Sequence, residues 1–481
     1  MNVKKQMRSI LAAASLLTAV GQAQAQEVQI PYEKFVLDNG LTLIVHEDHK
    51  APIVAVNVWY HVGSKNEKEG KTGFAHLFEH LMFNGSEHYN DDYFKPFDRV
   101  GATGMNGTTN FDRTNYFQEV PKNALDMALW MESDRMGHLL GAIDQERLDE
   151  QRGVVQNEKR QGENQPYGKV FTTAFKNIFP AGHPYSWSVI GYMEDLEAAS
   201  LEDVQQWFKD YYGAANAVLV VAGDVDPQQV LERVKHYFGH IPAGPPLIRQ
   251  DIWIPDVTGV HRQVMQDRVP QARIYKIWMM PEIGNEESTR LDLVAGILSE
   301  GKTSRLYKRL VFDDQIASDV AAFAFPLEIS GLFGVIATAM PGQDLAAVDA
   351  AIEEEVERFL AEGPTADEIE RIVTTRKAGF IRGAERVGGF GGKSDILAQN
   401  EVYLGDPGFY QTTLTRWNAA DAAELKAVAN KWMAKGQYIM EVHPFDEYST
   451  SENVVDRSAI PIPGPAPEVR FDDFERFELS N

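Results

Sequence analysis

The chain repeats one order of strand, turn, helix and strand in its two halves, and this repeat limits the folds that it can adopt. VAVNVWYHVGSKNE in the first half and ARIYKIWMMPEIGNEE in the second each read as a strand followed by a Gly/Asn turn. Later in each half an amphipathic helix runs into a buried strand, in LEDVQQWFKDYYGAANAVLVVAGDVD and in AAELKAVANKWMAKGQYIMEVHPFD. We therefore expect two domains built on one plan.

The domain boundary is predicted in the Pro/Gly run at residues 240–246. Residues 26–245 form the first predicted domain, residues 246–450 the second, and the Pro-rich residues 451–481 a surface tail. Within each half strands come early, helices fill the middle, and a helix–strand pair closes the unit. This order predicts the α+β class, with a mainly antiparallel sheet covered by helices on one side.

The first 25 residues are predicted to be a secretory signal peptide. Three basic residues precede the short apolar run Ile10–Val20, and Ala23-Gln-Ala25 offers a small-x-small cleavage site. The alanine-rich composition favours the periplasm of a Gram-negative bacterium, and a retained membrane anchor is the alternative. The chain has no cysteine, so disulfides and thiolate metal ligands are excluded.

The formal net charge of −24 makes nucleic acid and anionic membranes poor partners, because like charges repel. Beyond the predicted signal peptide, the sequence has no apolar run long enough to suggest a membrane span.

His76, Glu79 and His80 lie together in the stretch GFAHLFEHLMF. On a helix, residues four apart share one face, so the two imidazoles can reach one metal ion. His-x-x-Glu-His is the inverted order of the commoner zinc-protease helix motif, and a carboxylate beside two imidazoles suits a hydrolytic zinc site. The alternative is a helix whose histidines are only partly buried. His46, His49 and His138 show no metal spacing.

A catalytic zinc takes three protein ligands, and the best candidate for the third is Glu158. We expect residues 150–161 to form a helix with Val154 and Val155 on its apolar side and Glu158 on that same side. The alternative is a carboxylate paired with Arg152 or with another local base.

The stretches TGFAHLFEHLMFNGS and EQRGVVQNEKRQGENQPYG resemble the pitrilysin clan of zinc peptidases, which includes insulin-degrading enzyme and the mitochondrial processing peptidase. Further similar motifs follow in order, among them GMNGTTNFDRTNYFQEVP, FPAGHPYSWSVIGYMEDLEAAS and GKTSRLYKRL. The resemblance implies two domains that face each other as a clamshell, and only the first carries the metal motif.

The resemblance implies that His76, His80 and Glu158 bind one zinc ion per chain and that Glu79 is the general base toward a zinc-bound water. Manganese or cobalt would also suit these ligands. Seven residues before the third ligand, the family often has a glutamate that orients the metal ligands, and this chain has Gln151 at that position. An amide can still orient a neighbouring ligand by hydrogen bonding.

Self-sufficient members of the clan use an Arg and a Tyr, seven residues apart, to stabilise the oxyanion. The matching positions here are Val311 and Ser318, which cannot do this. We therefore expect the chain to be the zinc-bearing half of a heterodimeric metalloendopeptidase whose homologous partner supplies both residues. The alternatives are that Arg309 or another residue substitutes, that a homodimer works with weaker catalysis, or that the chain is a non-catalytic peptide-binding or scaffold subunit.

Met105–Thr109 reads as a short strand flanked by glycines. At a sheet edge such a strand can pair with an extended peptide. By resemblance, Asn106, Gly107 and Thr108 would contact substrate, with Asn106 closest. The alternative is an ordinary Gly-rich hairpin.

Overall fold

The computed structural model describes residues 28–445, 460 and 462–465. Its strands form two sheets, which we call sheet A and sheet B. Sheet A has the order β1-β2-β6-β3-β5-β4, and sheet B has the order β7-β11-β8-β10-β9. The strands are β1 (Glu33–Val36), β2 (Thr42–Glu47), β3 (Ile53–Tyr60), β4 (Thr103–Thr109), β5 (Thr114–Pro121), β6 (Ala217–Gly223), β7 (Gly259–Asp267), β8 (Arg273–Met280), β9 (Ala317–Pro326), β10 (Gly331–Ala339) and β11 (Gly436–Pro444).

Helices fill the intervals between these strands. The α-helices are α1 (Phe74–Leu81), α2 (Phe94–Val100), α3 (Leu125–Gly137), α4 (Gln145–Asn164), α5 (Val170–Ile178), α6 (Met193–Ala198), α7 (Leu201–Tyr211), α8 (Pro227–Phe238), α9 (Glu286–Ser299), α10 (Leu345–Glu362), α11 (Ala366–Ala384), α12 (Lys393–Leu404), α13 (Tyr410–Ala419) and α14 (Ala422–Met433). A π-helical turn covers Tyr307–Asp313.

The two sheets follow one plan. In sheet A, β2 and β6 are parallel and the other paired strands are antiparallel; in sheet B, β7 and β11 are the parallel pair. Strands β2-β6-β3-β5-β4 therefore match β7-β11-β8-β10-β9 in order and direction, and β1 is an addition at the edge of sheet A. The predicted α+β class with two domains is confirmed.

Both faces of each sheet are covered, whereas the sequence predicted helices on one face only. Along β6, Leu219 and Val221 pack into the core formed with α1 and α3, whereas Val218 and Val220 face the opposite way. Alternate residues of a strand point to opposite faces, so a strand buried on both sides reads as a continuous apolar run. The run AVLVVAG has this pattern.

The second face of each sheet is covered by a helix from the other half of the chain. Helix α12 packs Leu397 and Val402 against Val218 and Val220 of sheet A. Conversely, helix α5 from the first half packs Phe175 on the face of sheet B formed by β8 and β11. Because of this exchange, the described chain from Val28 to Pro444 forms one compact unit. The predicted domain boundary between residues 245 and 246 therefore stays a prediction, which rests on the repeated order of strands and helices in the two halves.

A buried polar network also joins the halves. Lys65 of the first half forms ion pairs with Asp112 and with Glu328, which follows β9 in the second half. His61 donates a hydrogen bond to the Glu328 carboxylate over 2.7 Å, and the Glu328 amide donates to Asp112 over 3.0 Å. Tyr185 donates its hydroxyl to Asp112 over 2.5 Å. Burial raises the pKa of Glu328, but the His61 hydrogen bond and the Lys65 charge outweigh it and lower the pKa to about 2.

Two predictions concern chain ends that the structure does not describe. The signal peptide at residues 1–25 lies outside the described residues, as does most of the tail at residues 451–481. Among the helices of the described part, none is both long and apolar enough to traverse a bilayer.

Candidate metal centre

Helix α1 carries His76, Glu79 and His80 at the heart of the first domain. It starts after Gly73, whose φ of 86° lies in the left-handed region that glycine adopts without strain. The buried carboxylate of Glu67 accepts hydrogen bonds from the amides of Gly73 and Ala75 at 3.0 and 2.9 Å. These bonds satisfy first-turn donors that have no partner within the helix, so they fix where α1 begins.

Glu158 reaches the same place from helix α4. Asp144 caps this helix by accepting the Arg147 amide over 2.9 Å. The predicted buried position of Glu158 is wrong, because its side chain is 43% exposed. Of the two valines expected on the apolar side, Val155 is buried and Val154 is exposed.

Arg152 does not pair with Glu158. Its guanidinium instead binds the Asp149 carboxylate and the Ala199 carbonyl oxygen, each at 2.5 Å. The alternative of a local Arg152–Glu158 ion pair is therefore excluded.

His76, His80 and Glu158 converge on one point. The Oε2 atom of Glu158 lies 3.6 Å from His76 Nε2 and 3.5 Å from His80 Nε2. These separations are long for hydrogen bonds, but they match the roughly 3.4 Å between two ligand atoms of one tetrahedral zinc. The imidazole centroids are 4.9 Å apart, with the rings nearly perpendicular. The three donors therefore fit a divalent cation.

Glu79 is buried beside this group and is held by the edge of sheet A. The Thr109 hydroxyl donates to Glu79 Oε2 over 2.6 Å. Burial raises the pKa of Glu79 to about 7, although the Thr109 hydrogen bond opposes the rise. Burial and the adjacent His80 lower the pKa of His76 to about 4. A carboxyl with a pKa near neutrality can both take up and release a proton.

Strand β4 forms an edge of sheet A, as predicted for residues 105–109, since it pairs only with β5 in the described sheet. The Asn110 amide donates to the Arg113 carbonyl, which closes the β4–β5 hairpin. Antiparallel pairs alternate, so Thr108 bonds to β5 and the backbone groups of Gly107 and Thr109 point outward. The Asn106 side chain is exposed.

Gly107 also has a packing reason to be glycine. A methyl group at this position would lie 2.8 Å from the ring of Phe83, the last residue of the GFAHLFEHLMF stretch. The backbone of β4 therefore approaches the segment that follows the metal-motif helix more closely than any side chain would allow.

The other residues singled out in the sequence lie on α4, in the π-helical turn and on β9. Gln151 is partly exposed on α4, two turns before Glu158. Val311 is partly buried against the core of the second domain, and Ser318 is exposed on β9. Arg309, the alternative oxyanion residue, forms ion pairs with Asp314 and with acidic residues of α10.

A second group of side chains that could bind a metal ion was not predicted from the sequence. His88, Asp134 and His138 place ligand atoms within 4.8 Å of one another. The prediction that His138 shows no metal spacing is wrong, because Asp134 lies one helical turn earlier in α3. His88 could not have been added from sequence, because it comes from a separate loop.

Family comparisons agree with this architecture. Residues 42–189 match the family described as Insulinase (Peptidase family M16), and residues 198–376 match Peptidase M16 inactive domain. The zinc protease PqqE of Helicobacter pylori is 29% identical over 404 residues, covering 82% of this chain and 89% of that protein. A probable mitochondrial-processing peptidase subunit beta of Arabidopsis thaliana is 25% identical over 315 residues, covering 63% and 58%.

Solved structures share the fold. A protease from Helicobacter pylori has a TM-score of 0.78 at 27% identity, covering 86% of this chain and 100% of that chain. The periplasmic protease PqqL from Escherichia coli has a TM-score of 0.71 at 17% identity, covering 88% of this chain and 48% of that chain, and shows likeness of fold alone. With two consecutive family matches on a two-domain α+β fold, the chain belongs to peptidase family M16, a family of zinc proteases.

Proposed function

We propose that this protein is a zinc metalloendopeptidase that cleaves peptides or small unfolded proteins. The observation that carries the proposal is the meeting of His76, His80 and Glu158 at ligand spacing, with the buried carboxylate of Glu79 on the same helix. When bound there, a zinc ion would polarise the scissile carbonyl and lower the pKa of a water molecule at its open position.

The protein's own residues would bind the ion and transfer the proton. His76, His80 and Glu158 would hold the ion. Glu79 would accept a proton from the attacking water and deliver it to the leaving amine, because its carboxylate lies on the same helix as the two imidazoles. The Thr109 hydroxyl would hold the Glu79 carboxylate toward the edge strand where the peptide would lie.

Substrate would bind by adding a strand to β4. The outward backbone groups of Gly107 and Thr109 offer a donor and an acceptor on alternate residues, and the exposed Asn106 side chain lies beside them. This binding mode depends little on the amino-acid sequence of the substrate, because main-chain groups provide the hydrogen bonds.

Substrates methylated on single backbone nitrogens test this pairing without altering the protein. We expect KM to rise for methylation at alternate positions and to stay unchanged between them. A uniform response along the peptide would contradict strand addition. Substitution of Thr108 by proline is a poorer test, because its amide belongs to the β4–β5 ladder.

A homologous subunit would complete the site with an Arg and a Tyr. Val311 and Ser318 cannot donate to an oxyanion as those residues do, and Arg309 is engaged with Asp314 and Glu354. This fold covers 48% of the PqqL protein of Escherichia coli, so that protein carries a further part of about equal length in the same chain. We place the enzyme in the periplasm on the predicted signal peptide.

Peptide cleavage by the purified chain, alone and with a homologous subunit that carries the Arg and Tyr, tests the assembly. We expect cleavage only from the mixture. Full activity of this chain alone would contradict the need for a partner while leaving the peptidase proposal intact.

Glu79→Gln tests the catalytic role. The amide keeps the size of the side chain but cannot accept the proton, so we expect zinc at the candidate centre to be retained and cleavage to be lost. The matched control is Glu69→Gln, an exposed position in the preceding loop. Equal cleavage by wild type and Glu79→Gln would refute the role. Zinc binding without cleavage by any combination of subunits would favour the non-catalytic alternative.

A further inference from the structure

We propose that His88, Asp134 and His138, joined by His240, form a second divalent-cation site. These side chains come from three places in the first domain. His88 lies in the loop between α1 and α2, Asp134 and His138 lie at the end of α3, and His240 follows α8. None of the four residues belongs to the candidate metal centre on α1 and α4.

Asp134 is the fixed point of the cluster. It is buried, and its Oδ2 atom accepts hydrogen bonds from the Ser86 hydroxyl and from the His88 amide. Its Oδ1 atom lies 2.6 Å from His88 Nδ1. A carboxylate held through one oxygen presents the other in a set direction, which is how outer contacts orient metal ligands.

The imidazoles of His88 and His138 place ligand atoms within 4.8 Å of this carboxylate, and the His240 ring lies against His138. The rings of His88 and His138 stand edge to face with centroids 4.8 Å apart, and those of His138 and His240 stack at 5.3 Å. The Nε2 atoms of His138 and His240 are 3.0 Å apart. That approach requires either one shared proton between neutral rings or a cation that both lone pairs bind.

The donor set selects a class of cation. Imidazole nitrogen with one carboxylate oxygen suits zinc, nickel, copper or cobalt better than calcium or magnesium, which prefer oxygen ligands. One ligand atom each of His88, Asp134 and His138 lies within 4.8 Å of the other two, and tetrahedral ligands of one ion are roughly 3.3 Å apart.

The role of such an ion would be structural. The loop that follows α1 is tied to the end of α3 by a hydrogen bond from the Glu87 amide to the His138 carbonyl, and Glu87 also accepts the Gly141 amide. A cation would add His240, and with it the end of α8, to this junction. It would thus hold three segments around the helix that carries the catalytic motif.

The test uses the full chain without a histidine tag, stripped of metal and then titrated with zinc, with bound metal measured after dialysis. We expect two zinc ions per wild-type chain, one in His138→Asn, and one in the double variant His76→Asn/His80→Asn. Adding His138→Asn to that double variant should remove the last ion. His236→Asn, an exposed histidine one turn before His240, is the matched control and should bind two.

Thermal unfolding gives a second readout that does not depend on activity. Zinc should raise the midpoint of His76→Asn/His80→Asn, and His138→Asn or His240→Asn should abolish that rise. If His138→Asn does not fold, His240→Asn, at an exposed position, serves in its place. The proposal is overturned if His76→Asn/His80→Asn binds no zinc at micromolar concentrations, or if neither substitution lowers its stoichiometry. Neither result bears on the peptidase proposal, which concerns the other centre.

Discussion

Glu328→Gln should destabilise the protein by removing the charge at the centre of the network between the halves. The carboxylate is 14% exposed and binds His61 and Lys65. Its pKa falls from the ordinary 4.5 to about 2 on folding. A lowering of this size corresponds to about 3 kcal/mol of unfolding free energy at neutral pH, an upper figure because the amide keeps part of the hydrogen bonding.

The pH dependence of this loss follows from the sign of the shift. Because the pKa is lower in the folded chain, the contribution is fully present above 4.5 and is lost as the pH falls toward 2. The difference between wild type and Glu328→Gln should therefore shrink to about 2 kcal/mol near pH 3.5.

Denaturant unfolding followed by tryptophan fluorescence measures the effect, at neutral pH and near pH 3.5. Glu357→Gln, an exposed position on α10, is the matched control and should change the unfolding midpoint little. Lys65→Met combined with Glu328→Gln should cost less than the two single changes together, because each single change leaves a buried charge short of its partner. A Glu328→Gln midpoint equal to the control, or a gap that does not narrow in acid, would refute the reasoning.

Three other changes test the site and the packing. Thr109→Val removes the hydroxyl that donates to Glu79, so kcat for peptide cleavage should fall roughly tenfold with zinc content unchanged; an undiminished kcat would contradict this positioning role. Leu397→Ala should lower the unfolding free energy by about 2–5 kcal/mol in denaturant titrations, whereas Gln399→Ala on the exposed side of the same helix should not. Asp144→Ala removes the cap of α4 and should cost about 1 kcal/mol by the same measurement, and a stability equal to wild type would show that the cap is dispensable.

Local pattern was enough to predict the repeated plan of the fold. The strand in VAVNVWY and the helix through His76 and His80 follow from apolar periodicity and turn residues, and both are present as β3 and α1. The edge position of β4 was predicted from its glycines and the resemblance. These features depend on neighbours in sequence, which a sequence displays directly.

Features that depend on distant contacts could not be predicted in the same way. The face of α4 was misjudged because two adjacent valines looked equivalent, whereas only Val155 meets the core and Glu158 stays half exposed. An apolar helix face indicates that the helix packs on another element, but it does not identify that element. The packing of α5 on sheet B and of α12 on sheet A could therefore not be predicted from the sequence. The cluster around Asp134 escaped notice for the same reason, since His88 and His240 reach it from separate segments.

The exchange of α5 and α12 has a consequence for how this protein can be divided. The first half produced alone would expose Trp59, Val218 and Val220, because sheet A would lack helix α12; the second half alone would expose Tyr275, Ile277 and Met440, because sheet B would lack helix α5. Such a fragment would aggregate instead of behaving as a free-standing module. A chain nicked between residues 245 and 258 should, in contrast, migrate as one particle. Hybrids between related proteins would need to carry each visiting helix together with its host sheet.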